Sequence, residues 1–318
     1  MRVSIAGAAL LACVWTAPAL AQSRCAEFQV IGNGPGGDYN PFNPVSAQDN
    51  FDIRVEGLND SVARVKFLLV DTALGANGPG IGAQGPAEYD ISWLEDTTRQ
   101  VFVTGNELLN PNNGAEARVS GRRNVDFVRM RLTIPRGQPS LAGVHRENLI
   151  VRYQCFNSAG APVGAQQEQL RPVEVRVEVP RFASAYIGGI GRTRGRIDFG
   201  RIGPDVAELS RRISVTALST VPYEVLVESD NDGALRRRRG DEDGIGYRMA
   251  YGGAQVGSGD RLICPTTPAP MGAVNDFEVT LNRDDVARLP AGDYSDVVTL
   301  TFSPRDVFSP GACSPRRR

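Results

Sequence analysis

The chain has 318 residues, and its 35 Lys plus Arg residues nearly balance its 36 Asp plus Glu residues, giving a formal net charge of −1. This balance gives no reason to expect nucleic acid as a partner. The 35 glycines and 21 prolines, together with a lack of long helical periodicity, favour an all-β protein with many turns.

The first 21 residues predict a secretory signal. Arg2 precedes the apolar run "VSIAGAALLACVW", and "APALAQ" follows with the small residues Ala19 and Ala21 at a cleavage site. A lipoprotein signal ending at Cys13 is the alternative. No other apolar run approaches the roughly 18 residues that span a bilayer. We therefore expect a mature chain from Gln22 that is exported through the periplasm to the cell surface.

Strands in the first half follow from apolar residues that alternate with polar ones. "CAEFQVI" predicts a first strand, and "FDIRV" and "VARVKFLLV" predict strands with one buried face. The buried faces are expected to carry Phe51, Ile53 and Val55 in one strand and Val65, Phe67 and Leu69 in the other.

Two long insertions follow these strands, "DTALGANGPGIGAQGPAEYD" and "GNELLNPNNGAEA". Loops of this length in a compact domain are often functional. Their apolar residues Leu74, Ile81, Leu108 and Leu109 are candidates for an adhesive surface. The alternative is that Leu108 and Leu109 pack back onto the domain.

The end of the first half recurs near the end of the chain. "LAGVHRENLIVRY" aligns with "LPAGDYSDVVTLTF" at an offset of 149 residues, which places Ala142 on Ala291. The offset carries Leu149, Val151 and Tyr153 onto Val298, Leu300 and Phe302, and Val128, Met130 and Leu132 onto Phe277, Val279 and Leu281. The upstream pair "FDIRV" and "VKFLL" likewise corresponds to "RISVT" and "YEVLV". Two domains of one fold are the simplest interpretation, and a chance match is the alternative.

The repeat sets the expected boundaries. "VEVRVEV" is the last predicted strand of the first domain, and the polar "RTRG" suits a linker or first turn. We expect a signal at residues 1–21, an N-terminal domain at 22–180, a C-terminal domain at 195–303 and a polar tail at 304–318.

Four cysteines remain after the signal, and an even number in an exported chain indicates disulfides. Cys155 shares a face with the apolar residues of its strand, and Cys25 begins the first strand of the same domain. This favours a Cys25–Cys155 bond and, by elimination, Cys264–Cys313, although four cysteines allow three pairings. Because Cys25 alternates with Glu27 and Gln29, the first pairing requires a bulge.

Several segments of the second half together resemble one known family. The segments are "RIDFGRIGP", "RISVTALSTVPYEVLVESDNDGAL", "GIGYRMAYGG" and "LPAGDYSDVVTLTF". They resemble the spore coat protein U domain, the pilin module of archaic chaperone–usher pili, over roughly residues 195–303. The first half looks like a more divergent copy. Many family members have a cysteine where this chain has Ala217, so the bridge of the second domain must differ.

The resemblance implies two immunoglobulin-like β-sandwich domains, of which the second is incomplete and is completed by strand donation. Val298, Leu300 and Phe302 would then line an uncovered core, the donor-strand groove. A periplasmic chaperone would lend a strand first, and a neighbouring pilin subunit would replace it at an outer-membrane usher. The polar tail, with Pro304 and Pro310, is a poor self-complementing strand.

The position within a pilus is also open to prediction. Only "QSR" separates the cleavage site from Cys25, so we expect no donor segment and hence a two-domain tip adhesin. An ordinary minor pilin is the first alternative. A free secreted module that binds a sugar or small ligand belongs to a different class, and the target surface or receptor is not predicted.

No motif of an enzyme, a cofactor site or a metal site is apparent. The only histidine, His145, is expected in a turn. "DNDG" and "DEDG" are more typical of tight turns than of calcium loops, because the alternate ligand positions are incomplete. The sequence therefore predicts a structural protein and no enzyme.

Overall fold

A computed structural model describes residues 24–71, 88–139, 141–203, 209–237, 243–308 and 310–315 of the chain. Almost all of its regular structure is β-strand, with one short helix, α1 (Arg283–Arg288), in the described ranges. The all-β class expected from the sequence is confirmed. The buried apolar residues form two main clusters, one within residues 25–179 and one within residues 209–281, and each lies inside its own pair of sheets.

The first sandwich is built from ten strands. They are β1 (Ala26–Ile31), β2 (Gly36–Asp38), β3 (Ala47–Gly57), β4 (Arg64–Asp71), β5 (Asp90–Trp93), β6 (Phe102–Thr104), β7 (Ala115–Arg118), β8 (Val125–Ile134), β9 (Gly143–Phe156) and β10 (Pro162–Val179). One sheet has the order β1-β3-β8-β5, and the other has the order β2-β10-β9-β4-β6 with β7 also on β4. In immunoglobulin lettering these sheets contain strands A-B-E-D and G-F-C, which confirms the expected fold.

The second sandwich repeats this arrangement with ten further strands. They are β11 (Ala183–Ile187), β12 (Ser210–Ser219), β13 (Tyr223–Ser229), β14 (Ala234–Arg236), β15 (Gly244–Tyr251), β16 (Ala254–Val256), β17 (Arg261–Cys264), β18 (Ala273–Leu281), β19 (Val298–Pro304) and β20 (Ser314–Pro315). One sheet has the order β11-β12-β18-β15-β14 with β16 on β15, which again gives A-B-E-D. The other sheet has the order β19-β13-β17-β20, in which β13 and β19 are strands C and F.

The repeat found in the sequence corresponds to this common topology. β8 and β18, which the offset of 149 aligns, are both strand E, and β9 and β19 are both strand F. The upstream pairs also match, since β3 pairs with β8 as β12 pairs with β18, and β4 pairs with β9 as β13 pairs with β19. The alignment therefore reflects two copies of one fold.

Burial follows the predicted alternation in β3, where Phe51, Ile53 and Val55 lie in the core. β4 differs, because its outer residues Leu68 and Val70 are as fully buried as its inner ones. They form a small separate cluster with Val103, joined by the half-buried Leu109 and Ile150. The segment after β6 thus covers the outer face of β4, which a period of two could not predict.

The connection between the sandwiches is short. β10 ends at Val179 and β11 starts at Ala183, so part of the stretch between the expected domains, residues 181–194, is a strand of the second sandwich. The side-chain hydroxyl of Thr220 ties this connection down by donating to the Pro180 carbonyl at 2.7 Å and accepting from the Phe182 N–H at 3.0 Å.

A buried acidic cluster lies in the first sandwich, where β4 ends. Asp71 and Glu147 are 1% and 7% exposed, and the Tyr89 hydroxyl donates to Glu147 Oε2 at 3.0 Å. Burial, followed by the hydrogen bond and negative charge of Asp71, raises the pKa of Glu147 from 4.5 to about 8. Glu147 therefore keeps its proton at neutral pH, because two adjacent buried carboxylates would repel each other.

This cluster predicts a pH dependence of stability. Between about pH 4.5 and pH 8 the unfolded chain releases a proton that folded Glu147 retains, so stability should fall as the pH rises through this window. Glu147→Gln, which mimics the protonated carboxyl, should flatten this slope. Unfolding followed by the fluorescence of Trp93 at several pH values measures this slope in the first sandwich, because the other tryptophan, Trp15, lies in the predicted signal.

The exposed Glu174 of β10 provides the matched control for this prediction, because Glu174→Gln leaves the buried pair intact. It should retain the wild-type slope. An unchanged slope in Glu147→Gln would show that the buried acid pair does not set the pH dependence.

Candidate functional site

The site predicted from the sequence centres on β19, whose backbone is paired along one edge. Seven residue pairs, from Tyr223↔Pro304 to Ser229↔Val298, join β19 to β13. Within the described ranges no strand pairs with the other edge of β19, the edge at which strand G would lie. An unpaired edge of this kind is a template for a further strand.

A groove runs along this unpaired edge and opens between the two sheets. Its volume is about 1350 Å³, and Val298, Leu300 and Phe302 line it on one side. Val215 and Val279 of the facing sheet form part of its floor. Sequence reasoning assigned the three β19 residues to an uncovered core, and the structure brings all three together on this groove.

The first sandwich provides an internal comparison. Leu149, Val151 and Tyr153 of β9, which the repeat aligns with the three groove residues, are fully buried. By contrast, Val298, Leu300 and Phe302 are only half-buried. Equivalent apolar positions on strand F are therefore covered in one copy of the fold and left partly open in the other.

The strand that covers β9 is β10, which has the position of strand G. It pairs with β9 from Pro162↔Phe156 to Val179↔Gly143, with two register irregularities. Its last seven residues, "VEVRVEV", alternate between buried valines and exposed charged residues. In the second sandwich the chain that follows β19 does not return beside it, and instead reaches β17 at the opposite edge.

The second wall of the groove is the segment at residues 195–202, which has no regular secondary structure. Its half-buried Ile197, Phe199 and Ile202 pack against the core of the second sandwich. Gly195 allows close approach, because a Cβ there would lie 2.5 Å from Ile213 Cδ1 and 2.7 Å from Ile187 Cγ2. The sequence did not predict that this segment lines the groove, although the alternation of Ile197 with Phe199 is a usable signal.

One end of the groove is held by polar contacts around Asp296. The Ser229 hydroxyl donates to Asp296 Oδ2 at 2.6 Å, and the Tyr247 hydroxyl donates to the same oxygen. Burial and this hydrogen bond raise the pKa of Tyr247, so the phenol remains a donor. Ser229 also accepts from the Gly233 N–H at 2.7 Å, which ties the tight turn of "DNDG" to the start of β19.

The chain is similar in fold to chains from solved structures of pilus adhesins and their chaperone complexes. One is the CsuC–CsuE chaperone–tip adhesion subunit pre-assembly complex from archaic chaperone–usher Csu pili of Acinetobacter baumannii, with 14% identity, a TM-score of 0.40 and coverage of 87% of this chain and 99% of that chain. A second is a chaperone–tip adhesin complex of CFA/I fimbriae biogenesis, with 10% identity and a TM-score of 0.37. The match covers 86% of this chain and 98% of that chain. A third is a mutant of the CFA/I adhesin CfaE of enterotoxigenic E. coli, with 11% identity, a TM-score of 0.34 and coverage of 87% and 94%. No family model and no curated protein matches the chain.

Two disulfides lie at different places in the two sandwiches. Cys25 and Cys155 are joined with an S–S distance of 2.10 Å, which ties the residue before β1 to the end of β9. Cys264 and Cys313 are joined at 2.03 Å, which ties the end of β17 to the residue before β20. The expected polar tail at residues 304–318 is therefore attached to the second sandwich through the part that the structure describes.

The candidate adhesive residues separate into two groups. Leu74 and Ile81 lie outside the described residues. Leu108 is 61% exposed, whereas the adjacent Leu109 packs on the cluster outside β4. The loop that carries them is held by Lys66, whose Nζ donates to the carbonyls of Asn110 and Pro111 at 2.7 and 2.9 Å.

Neither a metal cluster nor a long apolar helix is found in the described ranges. No group of three or more His, Cys, Asp or Glu residues there has the geometry to hold a metal ion. No helix in those ranges is long and apolar enough to cross a membrane. His145 lies in β9, where its Nε2 is 2.8 Å from the Leu141 carbonyl oxygen, so its expected position in a turn is wrong.

Proposed function

We propose that the chain is an exported adhesive subunit of an archaic chaperone–usher pilus, and that its second sandwich is completed by a strand from another protein. The observation that carries this proposal is the contrast between β9, which β10 covers, and β19, which has one unpaired edge within the described residues. A periplasmic chaperone supplies the strand first, and a neighbouring pilin supplies it after passage through the usher. No catalysis is involved.

The geometry of β10 indicates what the donated strand must look like. The donated strand pairs through its backbone with the seven residues of β19 and places alternate aliphatic side chains in the groove. The valines of "VEVRVEV" fill the equivalent positions in the first sandwich. Each buried aliphatic side chain of the donor contributes about 1.5 to 3 kcal/mol, so a few of them suffice for tight binding.

A tip position fits the way the first sandwich is closed. β1 pairs with β3 over six residues, and Cys25 anchors its start to β9. A donor segment must be free to leave its own domain, and β1 is not. Within the described residues the first sandwich therefore accepts no strand and donates none from β1, so it ends the fibre. The predicted outer loops are residues 105–117, which face outward, and residues 71–90, most of which lie outside the described residues.

Adhesion is assigned to the outer loops, with Leu108 as the residue in direct contact. The loop is held in place before contact, because Lys66 and Asn113 satisfy its carbonyl groups and Leu109 anchors it to the cluster outside β4. An exposed leucine on a rigid loop loses little conformational entropy on contact. Many pili on one cell would multiply a weak contact by avidity.

The strand-acceptor proposal predicts that the chain produced alone aggregates or is unstable, since its groove and edge are exposed. Co-expression with an archaic-type periplasmic chaperone should give a soluble one-to-one complex. Leu300→Asp should abolish the complex, because it places a charge where donor residues insert. Thr301→Asp is the matched control, because it faces outward on the same strand, and it should bind normally.

Native mass spectrometry of the co-purified proteins measures this binding. A stable monomer with one cooperative melt and no response to the chaperone would show that the sandwich is already complete. That result would leave a free secreted binding module as the function.

The tip position predicts that immunogold labelling of the chain on intact fibres gives one particle at each fibre end. A chain whose first sandwich neither accepts nor donates a strand has no way to continue the fibre. Labelling along the shaft would contradict the tip position, and a minor pilin would remain as the proposed function.

The adhesive contact predicts that Leu108→Asp weakens attachment to abiotic surfaces several-fold without changing pilus number. A charge at this position must be desolvated on contact, which opposes binding. Val45→Asp is the control, because Val45 is similarly exposed, at 63%, and lies outside the outer loops. Equal attachment by Leu108→Asp and wild-type cells would remove Leu108 from the adhesive surface.

A further inference from the structure

The sheet that contains β19 has a second edge, and the end of the chain covers it. β17 pairs with β13 on one side and with β20 on the other, through Leu262↔Pro315 and Ile263↔Ser314. We call residues 305–308 and 310–315 the C-terminal strap. The strap leaves β19 at one edge of the sheet and ends on β17 at the opposite edge.

A buried carboxylate fixes the start of the strap. Glu224 of β13 is 1% exposed, and its Oε1 accepts from Arg305 of the strap at 2.7 Å and from Arg261 of β17 at 2.6 Å. Burial opposes its charge, but these two hydrogen bonds hold the pKa of Glu224 below its ordinary value. The Arg305 N–H also donates to the Pro222 carbonyl at 2.8 Å.

The Cys264–Cys313 disulfide fixes the end of the strap directly beside β20. The strap is therefore held at both ends, and the exposed Arg181–Asp306 ion pair adds only a surface contact between them. A disulfide and a buried ion pair hold a strand of only two residues, which points to a role in keeping β20 paired with β17.

Without the strap, β17 would be a second open edge. Leu262 is buried and Ile263 is half-buried, so the edge is apolar and suited to pairing with another strand. β20 is a poor template in its turn, because Pro315 has no backbone N–H to offer to a further strand.

We propose that the C-terminal strap is an edge cap that confines strand addition in the second sandwich to β19. This inference rests on the proposed function, because it concerns which edge accepts the donated strand. The cap prevents a second donor strand, or a second copy of this chain, from pairing with β17 during assembly.

The test releases the strap in the full chain bound to its chaperone. Cys313→Ser with Arg305→Ala removes both attachments, and Cys313→Ser alone serves if the double variant does not fold. Hydrogen exchange of residues 261–264 and native mass spectrometry are the readouts. Asp306→Ala is the matched control, because it removes a surface contact of the strap and leaves both attachments intact.

Release should raise exchange in β17 at least tenfold and produce complexes larger than one-to-one. Adding Ile263→Lys, which puts a charge on the freed edge, should restore the one-to-one complex. Unchanged exchange and an unchanged one-to-one complex after release would overturn the proposal.

The strap and the proposed function can fail separately. If the wild-type chain forms no complex with the chaperone, the proposed function is wrong. The edge cap is then judged on the chain alone. Self-association on release that Ile263→Lys reverses supports the cap, and no change in self-association on release overturns it.

Discussion

Buried backbone N–H and C=O groups need hydrogen-bond partners, and within the described residues β19 has a strand partner along one edge only. The other features of the second sandwich follow from that unmet need. The groove lies where no described strand fills the space beside β19, and its apolar part, which includes Val215, Val279 and Leu300, belongs to the core between the two sheets. An unpaired edge beside a partly open core is expected to be unstable in isolation, which is why the proposed function includes a partner strand.

Three strands of the two sandwiches differ in how their free edge is covered. β10 covers β9 permanently with its own backbone, the C-terminal strap covers β17 with two residues held by a disulfide, and β19 is left open. The differences lie in the connections that follow homologous strands, because the sheets themselves share one order. A single fold can thus have strand F covered in one copy and partly open in the other, depending on where the chain goes after that strand.

The first sandwich is stiffened around its long insertions by buried polar groups. Lys66, the only lysine of the chain, points outward from β4 to hold a loop rather than into solvent. Asp71, Tyr89 and Glu147 form a second such cluster beside the ends of the other insertion. Buried polar groups of this kind cost free energy unless they are satisfied, so the hydrogen bonds of Lys66 favour one conformation of the loop at residues 105–117.

The amino-acid sequence by itself determined the class of fold, the two copies and the faces of most strands. Alternation reports directly which residues face a core, and the offset of 149 related Leu149 to Val298 without any knowledge of three-dimensional structure. Alternation placed Val298, Leu300 and Phe302 on one face of β19, and the resemblance to the spore coat protein U domain implied that this face lines an uncovered core.

Only the tertiary structure decided which segment covers which surface. The burial of both faces of β4, the separate surroundings of Leu108 and Leu109, the wall at residues 195–202 and the return of residues 313–315 to β17 all depend on contacts between residues distant in the chain. A local period indicates that a side chain is buried, but it does not indicate which segment covers that side chain. The covering segments are short or irregular, so they carry little periodicity of their own, and their positions depend on hydrogen bonds, packing and a disulfide with residues distant in the chain.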